Sequence, residues 1–205
     1  MASNESLINI IQKKSTMIMV EVLVDKYLIQ NLLSGKEKFP NINALLCGDI
    51  NVGKSSIAMR YTQSKFDSFY IESIEIEQHN KAFKILDKNY NYNLFVTVGN
   101  QRKENYENLY KKCDILFFIF DLSSKKSYES IKKTKNDIKK YLQKQQIYVF
   151  VGNKCDLIKR EVSSLHVNKY CEENLIEYFE VSAKNNINID RMFYKIGDLY
   201  NKNYK

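Results

Sequence analysis

Four almost unbroken apolar runs of strand length constrain this chain more than any other feature: Ala44-Leu45-Leu46-Cys47, Leu94-Phe95-Val96, Ile115-Leu116-Phe117-Phe118-Ile119-Phe120 and Ile147-Tyr148-Val149-Phe150-Val151. A strand wetted on one side alternates apolar and polar residues, whereas a continuous run needs cover on both faces. Candidate helices at 54–63, 101–112, 125–145, 164–174 and 189–200 can supply that cover. Strands alternating with helices predict an α/β domain built on an open, mainly parallel sheet. In such a sheet a ligand sits at the C-terminal ends of the strands.

The pattern begins only near Asn43. Residues 1–14 are polar, and 15–33 carry apolar residues on more than one face of one candidate helix, ended by Ser34-Gly35-Lys36 ahead of Pro40, the single proline. The expected organisation is an N-terminal extension over 1–40 and one domain over 41–205, a size at which 44% hydrophobic residues fill a core. Glu21 and Asp25 interrupt the longest apolar stretch, so no run spans a bilayer.

The net charge of +8 raises nucleic acid or an anionic surface as partners. Its placement argues against nucleic acid. Eight lysines fall between Lys125 and Lys144 against Glu129 and Asp137, mostly between the helically spaced Tyr128, Ile131, Ile138 and Leu142. That is the wet face of an amphipathic helix, without the aromatic and basic interleaving of an RNA-binding module. Cys47, Cys113, Cys155 and Cys171 show no Cys-x-x-Cys spacing and read as reduced thiols.

Three segments carry chemistry at strand ends. Gly48-Asp49-Ile50-Asn51-Val52-Gly53-Lys54-Ser55 fits G-x-x-x-x-G-K-[ST] between a strand and a helix, with Ser56 next. Its backbone N–H groups can wrap phosphates at a helix N-terminus, Lys54 can reach the β and γ phosphates, and Ser55 can ligate Mg²⁺. Asn51 tolerates a left-handed backbone. After the strand at 147–151 come Gly152-Asn153-Lys154-Cys155-Asp156. Asp156 can accept from N1–H and the 2-amino group of guanine, a donor pair that adenine lacks. Asn153 can bond the N7/O6 side or tie neighbouring loops together, and Lys154 can lay its stem on the ring. After Tyr178-Phe179-Glu180, the run Val181-Ser182-Ala183-Lys184 can place the Ala183 N–H on O6.

With these motifs in this order, residues 43–200 resemble the Ras superfamily of small GTPases, most closely its Rab branch. The resemblance implies the small-GTPase form of the P-loop NTPase fold, six-stranded with helices on both faces, binding GTP or GDP with Mg²⁺. It places Phe66 against the guanine and makes Tyr70-Ile71-Glu72-Ser73-Ile74 the first switch, with Ser73 as a second Mg²⁺ ligand. Asp121-Leu122-Ser123 and Ser127-Tyr128-Glu129-Ser130-Ile131 are also Rab-like. Effector and regulatory proteins are the implied partners of the switch segments, and the chain is expected to be a monomer.

The second switch departs from the family. In place of Asp-Thr-Ala-Gly-Gln-Glu stands Val96-Thr97-Val98-Gly99-Asn100-Gln101. Val96 takes the position of the aspartate that holds a water of the Mg²⁺ site, and Asn100 that of the glutamine that orients the attacking water. Asn100 is one methylene short, and a displacement of about 1 Å can cost on the order of a hundredfold in rate. Gln101 falls one residue late, while the Gly99 N–H still suits a γ-phosphate. The catalytic candidates are therefore Lys54, Asn100 and Gln101, in a weak GTPase of vesicle traffic.

A pseudo-GTPase that holds nucleotide as an interaction module is the rival reading, and a P-loop kinase or ATPase is opposed by Asp156. His79 and His166, without metal-ligand spacing, read as surface or loop residues. Phe117, Phe118 and Phe120 read as strand core, and Cys47 and Cys171 as idle thiols. Met1-Ala2 offers no myristoylation glycine, and Asn203-Tyr204-Lys205 no prenylation cysteine. The expected location is cytoplasmic; either the chain has no lipid anchor, or the N-terminal helix takes over by lying on a membrane or a partner, in peripheral contact with endomembranes.

Overall fold

The computed structural model describes residues 39–68, 75–99, 106–142 and 146–204. Tyr70, Ser73, Asn100, Gln101 and the helix expected at 15–33 lie outside them. The described chain runs β1 (Asn41–Cys47), α1 (Lys54–Gln63), β2 (Glu77–Ile85), β3 (Lys88–Val96), α2 (Glu107–Lys112), β4 (Ile115–Asp121), α3 (Lys125–Ile138), β5 (Ile147–Asn153), α4 (Ser164–Glu173), β6 (Glu177–Glu180) and α5 (Ile189–Asn203). Six strands form one sheet in the order β2-β3-β1-β4-β5-β6. Only the β2–β3 pair is antiparallel.

The continuous apolar runs do what their pattern requires. Every residue of β4 is buried. Ile115, Phe117 and Ile119 enter one core cluster, and Leu116, Phe118 and Phe120 the other. This is the two-residue period of a strand feeding two hydrophobic faces. The first cluster takes Ile57, Ala58 and Tyr61 from α1 and Ile189, Met192, Phe193 and Ile196 from α5. The second takes Tyr110 of α2, Tyr128, Ile131 and Ile138 of α3, and Val167 and Cys171 of α4.

Three sequence expectations need correction. The strand β2 has no counterpart among the apolar runs, because Glu77, Gln78, His79, Asn80 and Lys81 are polar; its register with β3, Glu77 against Val96 through Ile85 against Lys88, supplies the strand. Polar residues suit an edge that must not recruit another chain. The helix expected over 125–145 ends at Ile138, followed by a 3₁₀ turn at Lys139–Tyr141 and extended Leu142. Like charges at Lys135 and Lys139, one helical turn apart, disfavour its continuation, and Leu142 packs on the second cluster from outside the helix. His79 stands on β2, partly buried and paired with Glu77, and is no loop residue. His166 is exposed on α4, as expected of a surface residue.

Gly197, which no sequence motif accounts for, sits in the middle of α5. A Cβ there would lie 2.8 Å from Phe83 Cε2 and 2.9 Å from Ile85 Cδ1. Glycine in a helix costs about 1 kcal/mol relative to alanine, and here it admits the close approach of α5 to β2.

Candidate functional site

The loops following β1, β5 and β6 converge at the C-terminal edge of the sheet, where strand order reverses beside β1. They enclose a cavity of about 480 Å³ whose lining includes Asn51, Gly53, Lys54, Ser55, Ser56, Phe66, Asn153, Lys154, Asp156, Ala183 and Lys184. Residues separated by up to 133 positions thus share one wall.

The phosphate loop is shaped by backbone geometry. Asn51 has φ 59° and Gly53 φ 95°, both left-handed. At Gly53 any Cβ would also strike Asn153 Nδ2, 2.2 Å away, so only glycine fits. Val52 contributes through its backbone, since its side chain is buried in the core. Its carbonyl accepts from Asn153 Nδ2 at 2.9 Å. Lys54 is buried at the head of α1, where Nζ donates to the Asp49 carbonyl at 2.7 Å across the loop. The Asp49 carboxylate accepts from Ser130 Oγ of α3 at 2.7 Å.

The loops after β5 and β6 are equally tied down. Asn153 binds neighbouring loops, the second of its two expected uses: besides Val52, its Oδ1 accepts from the Ala183 N–H at 3.2 Å. Asp156 Oδ1 accepts from Ser182 Oγ at 2.6 Å. The hydroxyl also accepts from Asn185 N–H at 3.0 Å, and Ser182 and Ile187 exchange backbone bonds. A carboxylate held through one oxygen presents a defined edge to a donor pair. Lys154, at φ 63°, places Nζ 2.7 Å from Asp121 Oδ2, which fixes its head group, and the residue lines the cavity. Phe66 packs on the first core cluster, with the Arg60 guanidinium 5.8 Å from its ring centre.

The end of β3 and residues 97–99 approach the phosphate loop. Val96 is buried within the first core cluster, a methyl-bearing side chain at the site's edge. Thr97 N–H and Oγ1 both donate to the Leu46 carbonyl at 3.1 Å, holding the strand end to β1. Gly99 lies so close to the phosphate loop that a Cβ would fall 2.6 Å from Ile50 N.

Three contributors were missed by the motifs. Arg60 donates to Ala183 O at 2.8 Å, Ser64 O at 2.9 Å and Lys184 O at 3.1 Å, fastening α1 to the loop after β6. Tyr106 Oη receives the Val98 N–H at 3.1 Å and donates to its carbonyl at 3.2 Å. Glu77 Oε1 accepts from Ser55 Oγ at 2.7 Å, and Glu77 lines the cavity. None belongs to a local pattern, because each acts across the fold. Spacing on β2 offered one hint for Glu77, since Glu77 and His79 share a strand face.

Hydroxyl and carboxylate oxygens beside a helix N-terminus and a lysine match the preference of Mg²⁺ for hard donors alongside phosphate, so the residues present fit that ion. No group of three or more His, Cys, Asp or Glu among the described residues forms an all-protein metal cage. The cysteines serve packing: burial pushes the Cys47 thiol up, and those of Cys113 and Cys171 up to about 12.

Comparison with known proteins agrees with this geometry. The Ras family profile matches residues 43–202. Ras-related protein Rab-13 of Rattus norvegicus is 30% identical over 151 residues, covering 73% of this chain and 74% of its own. Rab-1C of Dictyostelium discoideum is 30% identical over 172 residues, 81% and 86% of the two chains. Rab-3 of Caenorhabditis elegans is 29% identical over 157 residues, 76% and 72%. Matched by the Ras family profile over 43–202 and 30% identical to Rab proteins over most of its length, the chain belongs to the Ras family and is a Rab-like small GTPase.

Proposed function

We propose that this chain binds GTP and GDP with Mg²⁺, hydrolyses GTP slowly, and acts as a switch in vesicle traffic. The observation that carries the reading is the single cavity shared by Lys54, Ser55, Asn153, Asp156 and Ala183. Lys54 and the loop N–H groups hold the phosphates, Asp156 and the Ala183 N–H read the guanine, and Phe66 flanks it. Ser55 and, by resemblance, Ser73 hold the Mg²⁺, which when bound offsets phosphate charge. Asn100 and Gln101 are the groups available to orient a water. Effector and regulatory proteins meet the switch segments, and the 1–40 extension contacts a membrane or partner.

Hydrolysis in such proteins is slow even with a complete catalytic set, and partners that supply groups in trans raise it by orders of magnitude. Burial of Val96 in the core favours a second reading, a module that holds guanine nucleotide for partner binding without an efficient cycle. Single-turnover phosphate release from GTP with Mg²⁺ separates them. A slow release abolished by Lys54→Ala and quickened by Val96→Asp with Asn100→Gln is the expected result. No release over hours leaves the holding module, and a rate indifferent to Lys54→Ala refutes the site. A preference for ATP over GTP refutes the base assignment.

A further inference from the structure

We propose that Glu77 is the carboxylate of the Mg²⁺ site, standing in from β2 for the one that Val96 lacks. The assignment rests on the nucleotide-binding reading above and specifies how its cation is held.

Glu77 is the register partner of Val96 in the antiparallel β2–β3 pair. Directly opposed residues of such a pair have Cβ atoms about 5 Å apart. A carboxylate lost from β3 is therefore replaced from the neighbouring strand within the reach of one glutamate side chain. Its contacts support the assignment: Oε1 accepts a hydrogen bond from the Ser55 hydroxyl at 2.7 Å. A hydroxyl that gives its proton to a carboxylate keeps its lone pairs for a cation and becomes the more basic donor.

The other carboxylate oxygen is also engaged. Oε2 stands 3.0 Å from His79 Nε2, with only 13% of the His79 side chain exposed and 27% of that of Glu77. Residues 77 and 79 share one face of β2, so the histidine holds the glutamate toward Ser55 from its own strand. Partner groups of this kind orient the oxygens around an ion.

Charge makes the assignment testable. A carboxylate beside the phosphate loop repels the phosphates of a bound nucleotide unless a cation lies between them. Glu77 therefore makes nucleotide retention depend on Mg²⁺ in both directions: it hastens release without the ion and slows release with it. Removing its charge collapses the difference from both sides.

The test is the release of a fluorescent GDP analogue from the full chain, followed in EDTA and across a Mg²⁺ titration. Wild type is expected to release the analogue faster in EDTA than in Mg²⁺. In Glu77→Gln the ratio of the two rates falls, and the Mg²⁺ concentration at half effect rises by about 10- to 100-fold. The double variant Glu77→Gln/Val96→Asp, with the carboxylate back on β3, regains the ratio. A wild-type ratio retained in Glu77→Gln overturns the assignment, as does a wild type indifferent to Mg²⁺, and in either case guanine binding stands. Should Glu77→Gln lose GDP altogether, the double variant decides: recovered Mg²⁺-sensitive binding supports the assignment, and its absence overturns it. A wild type that binds no GDP removes the nucleotide reading and this inference together.

Discussion

At the scale of one residue, Asp121 shows how the site holds its own charges. It ends β4, with Oδ2 2.7 Å from Lys154 Nζ and Oδ1 accepting from the Ser123 N–H at 2.8 Å and Oγ at 2.7 Å. Burial pushes its carboxyl up, but the bonds from Lys154 and Ser123 prevail and hold it below its ordinary value. A folded pKa below the unfolded one contributes stability above the unfolded value of about 3.9, and that stability is lost as pH falls through the folded pKa. Thermal melts from about pH 5 down to about pH 2 should therefore fall more steeply for wild type than for Asp121→Asn. At neutral pH the variant should melt lower, because Lys154 keeps a buried-side neighbour that no longer carries charge. Parallel pH dependences for the two proteins would remove Asp121 as a native-state anchor of Lys154.

At the scale of elements, Arg60 near the C-terminal end of α1 reaches three carbonyls, two of them in the loop that offers the Ala183 N–H. Its planar fork suits divergent acceptors that a lysine ammonium cannot serve together. Arg60→Ala should quicken GDP release roughly tenfold, about 1.4 kcal/mol, close to the lower end of what a hydrogen bond to a charged group contributes. Arg60→Lys should recover little of it, and stopped-flow release of fluorescent GDP measures both. An element such as this explains what was legible in the sequence and what was not. The phosphate loop, Asn153 and Asp156 were readable because each motif is contiguous and follows an apolar strand. The strands β1, β4 and β5 were readable because burial on both faces writes itself as an unbroken run. Arg60, Tyr106 and Glu77 were not, because their partners lie 123, 8 and 22 positions away and are chosen by packing. The β2 strand was hidden for a related reason: its pairing with β3 is a property of two segments, and its own residues carry the polarity of an edge. The α3 helix misled in the opposite sense, since Leu142 keeps the helical period of Ile138 after the backbone has left the helix.

For the described domain as a whole, two hydrophobic clusters lie on opposite faces of one sheet, and the cavity joins loops that follow β1, β5 and β6. The core fixes the strands, while the loops beyond them are joined by side chains such as Asn153, Arg60 and Ser182. A nucleotide that bridges those loops binds the folded chain and not the unfolded one, so it shifts the unfolding equilibrium by mass action. At about 100 times its Kd the gain is about 2.7 kcal/mol. For a domain of about 150 to 250 residues each kcal/mol raises Tm by roughly 2 to 4 °C. GDP at that excess should therefore raise Tm by about 5 to 10 °C. ADP at the same concentration should do far less, because in the proposed binding mode Asp156 and the Ala183 N–H face a base edge that in adenine lacks both the N1–H and the O6 acceptor. The contrast isolates the guanine side, since both nucleotides present the same diphosphate to Lys54 and its loop. Equal shifts with ADP and GDP would show that the phosphate loop binds without the base being read. A GDP shift that persists in Asp156→Ala would take the reading away from that carboxylate.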